Sequence, residues 1–180
     1  MERIADNVYQ MCLVRGYTDI QRVHQTSSCK YMTNLVTLVT AKTGDGIPIS
    51  VWMTSSKMGK TKMQKFVNDN VGSRTILITD TPLTHHAKLV LEEAKKSTPC
   101  QTFLFTDLSY NILGHSLQPK FHIMNSGEIE KEITSVYKCS LQNLPKISAQ
   151  DPVCRYLGVT PKTVLRIERP RGYLYYRIVV

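Results

Sequence analysis

The run Arg74-Thr-Ile-Leu-Ile-Thr79 constrains the fold more than any other stretch of the chain. Past Arg74 it is rich in β-branched residues and lacks the alternation of a strand with one wet face, so it reads as a strand covered on both sides. Such a strand needs helices packed against its sheet, and the flanking sequence supplies them. Residues 60–70 put Met63, Phe66 and Val67 on one helical face. Thr81-Pro82 has the form of an N-cap followed by proline at the first helical position, opening a helix to Lys96 with Leu89 and Val90 inward. Residues 101–106 then give a further short strand. Upstream, Ile4, Val8, Met11 and Cys12 recur at helical spacing over residues 2–15, and Gly16 suits the C-terminal cap. Residues 35–39 and 47–53 flank Thr43-Gly-Asp-Gly46 as the arms of a β-hairpin. The first part is predicted to be α/β.

Past Asp107 the elements shorten: a polar connection, a helix over residues 126–137 with Ile129 and Ile133 in register, and the turn-rich Leu144-Pro-Lys-Ile147. Asp151 and Pro152 form an N-cap and first turn, and Gly158 a C-terminal cap, around a helix of barely two turns. Two strands close the chain. Thr163, Leu165 and Ile167 share one face of the first, and Leu174, Tyr176, Ile178 and Val180 one face of the second, with Arg169-Pro-Arg-Gly172 as the turn. With 180 residues available, two small domains fit, 1–107 and 108–180, the second an α+β unit with a mixed sheet.

Charge narrows the partners. Lys and Arg number 23 against 14 Asp and Glu, a formal net charge of +9 that favours nucleic acid, an acidic protein surface or anionic lipid. No apolar stretch approaches the ~20 residues of a membrane helix, and Met1-Glu-Arg-Ile-Ala-Asp6 has no signal region, so a non-secretory protein with no membrane partner is expected. The five cysteines are odd in number and never spaced Cys-x-x-Cys, which predicts free thiols and no structural zinc.

Enzyme signatures fail on inspection. Gly59-Lys60-Thr61 sits between a strand and a helix, as a phosphate-binding loop would, and Asp80 closes an apolar strand, but Thr54 stands where that loop needs its first glycine. Glu93-Ala-Lys95 is the sole acid-x-lysine pair of nuclease type, and it falls in a predicted helix, where residues two apart diverge. His85-His86, His115 and His122 have no acid or thiol at ligand spacing, and no serine lies in a Gly-x-Ser-x-Gly elbow. No catalytic residue, metal site or cofactor is expected. Two basic groups remain: Lys57, Lys60, Lys62 and Lys65, which could track a phosphate backbone by charge alone, and Arg166, Arg169, Arg171 and Arg177, interleaved with Tyr173, Tyr175 and Tyr176.

Leu144-Pro-Lys-Ile147, Asp151-Pro-Val-Cys-Arg-Tyr-Leu-Gly158, Val164-Leu-Arg-Ile-Glu-Arg-Pro170, Gly172-Tyr and Tyr176-Arg-Ile178 form an ordered set. This set resembles the jaw and assembly subunit shared by the three eukaryotic nuclear RNA polymerases, whose C-terminal half corresponds to a free-standing subunit of the archaeal RNA polymerase. His115-Ser-Leu-Gln-Pro-Lys120 is similar to the family's His-Glu-Leu-Val-Pro-x-His segment, with Ser116 in place of Glu. More faintly, Arg15-Gly-Tyr17 resembles the end of the family's first helix and Thr81-Pro82 its jaw turn, with Leu83-Thr-His-His-Ala87 replacing the usual small residues. The region between Tyr17 and Pro48 is shortened, as in a compact, divergent or virus-encoded member.

The resemblance implies a non-catalytic subunit. Its N-terminal jaw would have restriction-endonuclease-like topology without the catalytic carboxylates and would lie beside downstream duplex DNA, with Lys57, Lys60, Lys62, Lys65, Thr81 and Pro82 nearest to it. Its C-terminal domain would pack on the largest polymerase subunit and other core subunits through His115, Pro119, Pro145, Asp151, Pro152, Arg155, Tyr156, Gly158, Arg166, Arg169 and Arg177. The location implied is the nucleus, or a viral factory or virion for a virus-encoded member. The alternative is a nuclease-fold DNA-binding protein with residual metal-dependent cleavage.

Overall fold

The computed structural model describes residues 2–26, 35–94 and 98–180; Cys29 and the expected helix end at Lys95 and Lys96 lie outside them. The chain divides into two compact units, Met1–Asn111 and Ile112–Val180.

The first unit is a five-stranded mixed sheet in the order β1 (Thr18–Thr26), β2 (Leu35–Lys42), β3 (Pro48–Thr54), β4 (Arg74–Thr79), β5 (Cys100–Leu104). The first three strands are antiparallel to their neighbours, while β3, β4 and β5 run parallel. Residues 75–79 are all buried, as the sequence requires. Leu77 joins Met58, Met63, Phe66, Val67, Ala87 and Val90 in one core, on the side of α2 (Lys60–Asp69) and α3 (His85–Ala94). Ile76 and Ile78 point the opposite way, in register with Gln101 and Phe103. On that face lies α1 (Glu2–Val14): Arg15, just past its end, donates to Gln101 Oε1 at 2.8 Å and sits over the Phe103 ring. Val8, Met11 and Cys12 are fully buried. Gly16 at φ +70° ends the helix in a Schellman turn, with Tyr17 N–H on the Cys12 carbonyl and Gly16 N–H on that of Leu13.

Two expectations are corrected. Thr81 and Pro82 lie in the loop before α3, and the helix begins at His85 with Thr84 as its cap, its hydroxyl accepting the Ala87 N–H at 3.3 Å. Leu89 is 43% exposed, because the inward row is Ala87, Val90, Leu91 and Ala94, spaced three and four apart, and Leu89 falls outside it. Strand β1 is an addition: its sequence is polar and bulged, but Arg22 holds Asp6 of α1 at 2.7 Å and stacks on Tyr9.

In the second unit the sheet order is β6 (Lys120–Ile123), β8 (Val164–Glu168), β9 (Leu174–Val179), β7 (Lys146–Ile147), with β7 and β9 parallel. One face carries α5 (Pro152–Leu157), through Val153, Cys154 and Leu157 against Leu165 and Val179. The other carries α4 (Ser126–Glu128) and its π-helical continuation, Ile129–Val136, through Ile133 against Met124, Leu144 and Val164. Asp151 caps α5 by accepting the Val153 N–H at 2.9 Å, and Gly158 at φ +69° closes it, as read from the sequence. The β8–β9 turn puts Arg171 and Gly172 at positive φ.

Burial pushes the thiols of Cys12, Cys100 and Cys154 up to about 11, so they stay protonated at neutral pH and serve as packing groups. The cap yields a direct test. Asp151→Ala should lower stability by about 1 kcal/mol through the lost acceptor, read as a shift of the urea midpoint with an unchanged slope.

Candidate nucleic-acid and assembly surfaces

Parallel strands and their return helices place one end of the first sheet under particular chemistry. The C-terminal ends of β3 and β4 and the first turns of α2 and α3 share one edge, the usual ligand edge of open α/β sheets. A shallow depression there, of about 350 Å³, is lined by Lys57, Gly59, Lys60, Thr61, Lys62 and Thr84. Gly59 caps α2 in extended conformation without a side-chain acceptor, and the first turn holds no acid. Its backbone N–H groups and three lysines therefore point positive charge at the same spot.

The structure brings Lys57, Lys60 and Lys62 together at this depression and sets Lys65 on the next turn of α2. Thr81 and Pro82 are exposed in the adjoining loop. Thr84, which no sequence signal singles out, ties the two parts by donating to the Met58 carbonyl at 3.4 Å. Among the described residues no group of three or more His, Cys, Asp and Glu side chains could hold a metal. Glu93 is exposed on α3, and Lys95 lies outside the described residues.

In the second unit the residues singled out from the sequence divide by burial. Asp151, Pro152 and Gly158 shape α5 from half-buried or exposed positions, whereas Tyr156 is only 2% exposed and packs inside the fold. The Pro145 carbonyl accepts the Ile178 N–H, and Arg177 donates to the Lys146 carbonyl at 3.1 Å, both holding β7 to β9. His115 Nδ1 accepts the Leu117 N–H at 3.2 Å and is exposed, Pro119 is half-buried, and so is Arg155. At the hairpin tip Arg169 sits 4.5 Å over the Tyr175 ring, with Tyr173 61% exposed and Arg171 in solvent.

Arg166 behaves otherwise. It is half-buried and donates to Glu132 Oε1 at 2.6 Å, while Tyr176, its cross-strand partner, donates to Glu132 Oε2 at 2.8 Å. One strand away His122, paired with Arg166, lies 2.9 Å from Glu128, the residue one helical turn before Glu132. A row of His, Arg and Tyr across three strands thus grips two glutamates of one helix. Glu128 also completes a capping box with Asn125, and that backbone hydrogen bond, then the His122 bond, holds its carboxyl below the ordinary glutamate range. Burial, then the Glu132 hydrogen bond, pushes the Tyr176 phenol well above the usual tyrosine range.

The family model described as RNA polymerase Rpb5, C-terminal domain, matches residues 110–179. The DNA-directed RNA polymerases I, II, and III subunit rpabc1 of Dictyostelium discoideum is 30% identical over 190 residues, covering 99% of this chain and 96% of the relative. The chain belongs to the Rpb5 family. The archaeal DNA-directed RNA polymerase subunit Rpo5 of Methanosarcina mazei is 37% identical over 75 residues, 39% of this chain and 95% of the relative. The Caenorhabditis elegans RPABC1 subunit is 33% identical over 121 residues, 65% of this chain and 56% of that one.

The glutamate clamp gives an alkaline prediction. Tyr176 has its folded-state value raised, so the stability its phenol contributes is present below the ordinary tyrosine range and lost as pH rises through the folded value. Ultraviolet titration of the nine tyrosines should show a fraction that resists ionisation until the second unit unfolds, and Tyr176→Phe should lower that fraction by one residue. Glu132→Ala should cost about 2 kcal/mol, the scale of hydrogen bonds to a charged group.

Proposed function

We propose that this Rpb5 family member is a non-catalytic subunit of a multisubunit DNA-directed RNA polymerase. In this reading residues 1–107 form a jaw beside downstream duplex DNA, and residues 108–180 pack on the largest subunit and other core subunits, in the nucleus. End-to-end similarity to a subunit named for three RNA polymerases carries the reading. The basic depression supports the DNA role: lysines and open backbone N–H groups attract phosphate without reading bases. A restriction-endonuclease-like topology for the jaw fits a mixed sheet with helices on both faces. Exposed Arg169, Arg171 and Tyr173 support a protein-facing role for the final hairpin, since arginine and tyrosine anchor protein interfaces.

Capture of the tagged chain from its native source should bring down the large polymerase subunits. An eluate containing intact bait without them would end the assembly reading. For DNA, titrations at several salt concentrations should show weak, sequence-indifferent duplex binding. Changing Lys60, Lys62 and Lys65 together to Gln should flatten the salt slope by about 0.9 per lost phosphate contact. An unchanged slope would remove those lysines from the DNA face.

A further inference from the structure

The sequence puts two histidines, His85 and His86, at the edge where the lysines gather. Both are exposed in the first turn of α3, their rings 5.9 Å apart and inclined at 75°. They follow Thr84 directly, which lines the depression with Lys57, Lys60 and Lys62 and is bonded to the Met58 carbonyl beside Lys57. Helices α2 and α3 are locked together by Met63, Phe66, Ala87 and Val90. The charged groups about this edge are Lys57, Lys60 and Lys62 from α2 and its preceding loop, Asp80 from the end of β4, Asp107 beyond β5, and Lys88 within α3. Asp107 is engaged by the Leu104 N–H at 3.1 Å. Cations therefore outnumber carboxylates.

We propose that His85 and His86 extend this edge along the same phosphate backbone and contact it as imidazolium, so that duplex binding takes up protons. The inference rests on the DNA reading above and adds its proton dependence. Imidazole is the side chain whose ordinary titration falls between pH 5 and 8. A phosphate strand laid over the edge favours its charged form. By linkage, a site that binds protons more tightly when occupied binds its ligand more tightly as pH falls.

The test uses the full chain and a mixed-sequence DNA duplex, titrated at constant ionic strength from about pH 8 to about pH 6. Affinity should rise on the order of tenfold across that range. Calorimetry in buffers of different ionisation enthalpy should register net proton uptake. His85→Gln/His86→Gln should abolish both the rise and the uptake, with thermal unfolding checking that the variant is folded. His85→Gln alone should give an intermediate response. Lys60→Gln/Lys62→Gln should weaken binding at both pH values yet keep the rise. Lysine-dependent binding with no pH response, or a response that survives the double glutamine variant, overturns the histidine proposal and leaves the DNA reading standing. No duplex binding at either pH overturns that reading itself.

Discussion

Burying β4 on both faces is the constraint from which the first unit follows, because residues 75–79 leave no side of that strand in water. Helices α2 and α3 cover the Leu77 face, and α1 lies across the opposite one. Parallel neighbours need return crossovers, and a crossover carries the chain from the end of one strand to the start of the next. Two successive crossovers therefore start both helices at one edge of the sheet. The lysine cluster and the histidine pair occupy that edge because the sequence places them at those two starts. Topology, more than mutual attraction, gathers groups of one charge sign there.

The second unit solves the same problem with shorter pieces. Its helices are too short to hold shape alone, so each is fixed by the sheet beneath it. Against α5 the tie is apolar, through Val153, Cys154 and Leu157. Against the π-helical stretch it is partly ionic, since Glu132 receives Arg166 and Tyr176 from adjacent strands. A charge at that depth needs both partners to offset its desolvation. The wider winding places Tyr137 N–H on the Glu132 carbonyl, and the Tyr137 ring packs on Tyr176.

Patterns carried by local rules were legible in the sequence. Gly16 and Gly158 as helix ends, Asp151 as a cap, the double-faced run 75–79 and the final hairpin all follow from backbone conformation or periodicity. What failed depended on tertiary contact. Thr81-Pro82 satisfies the local rule for a helix start, but Thr84 is the residue whose hydroxyl meets both the Ala87 N–H and the Met58 carbonyl, and the helix begins there. Strand β1 has a polar sequence and forms against β2 with Arg22 held by Asp6 and Tyr9 of α1, partners remote in the chain. Glu128 and Glu132 lie one turn apart on their helix, and only the register of β6, β8 and β9 reveals that His122, Arg166 and Tyr176 form the matching row.

That register also separates arginines that composition groups together. Successive residues on a strand face opposite ways, so Arg166 on β8 turns toward the helix and Glu132, while Arg177, opposite Leu165, turns to the other face and binds the Lys146 carbonyl. Both are committed to holding elements in place. Arg169 and Arg171 lie beyond the ladder, in a turn whose positive φ angles carry them clear of the sheet. One stacks on Tyr175 and stays exposed; the other is in solvent. A guanidinium already satisfied inside the fold would have to break a hydrogen bond to meet a partner, whereas a stacked, exposed one is desolvated only when the partner arrives. The protein-facing role proposed for the hairpin therefore rests on its tip, while the interior arginines hold the helix and strand β7 to the sheet.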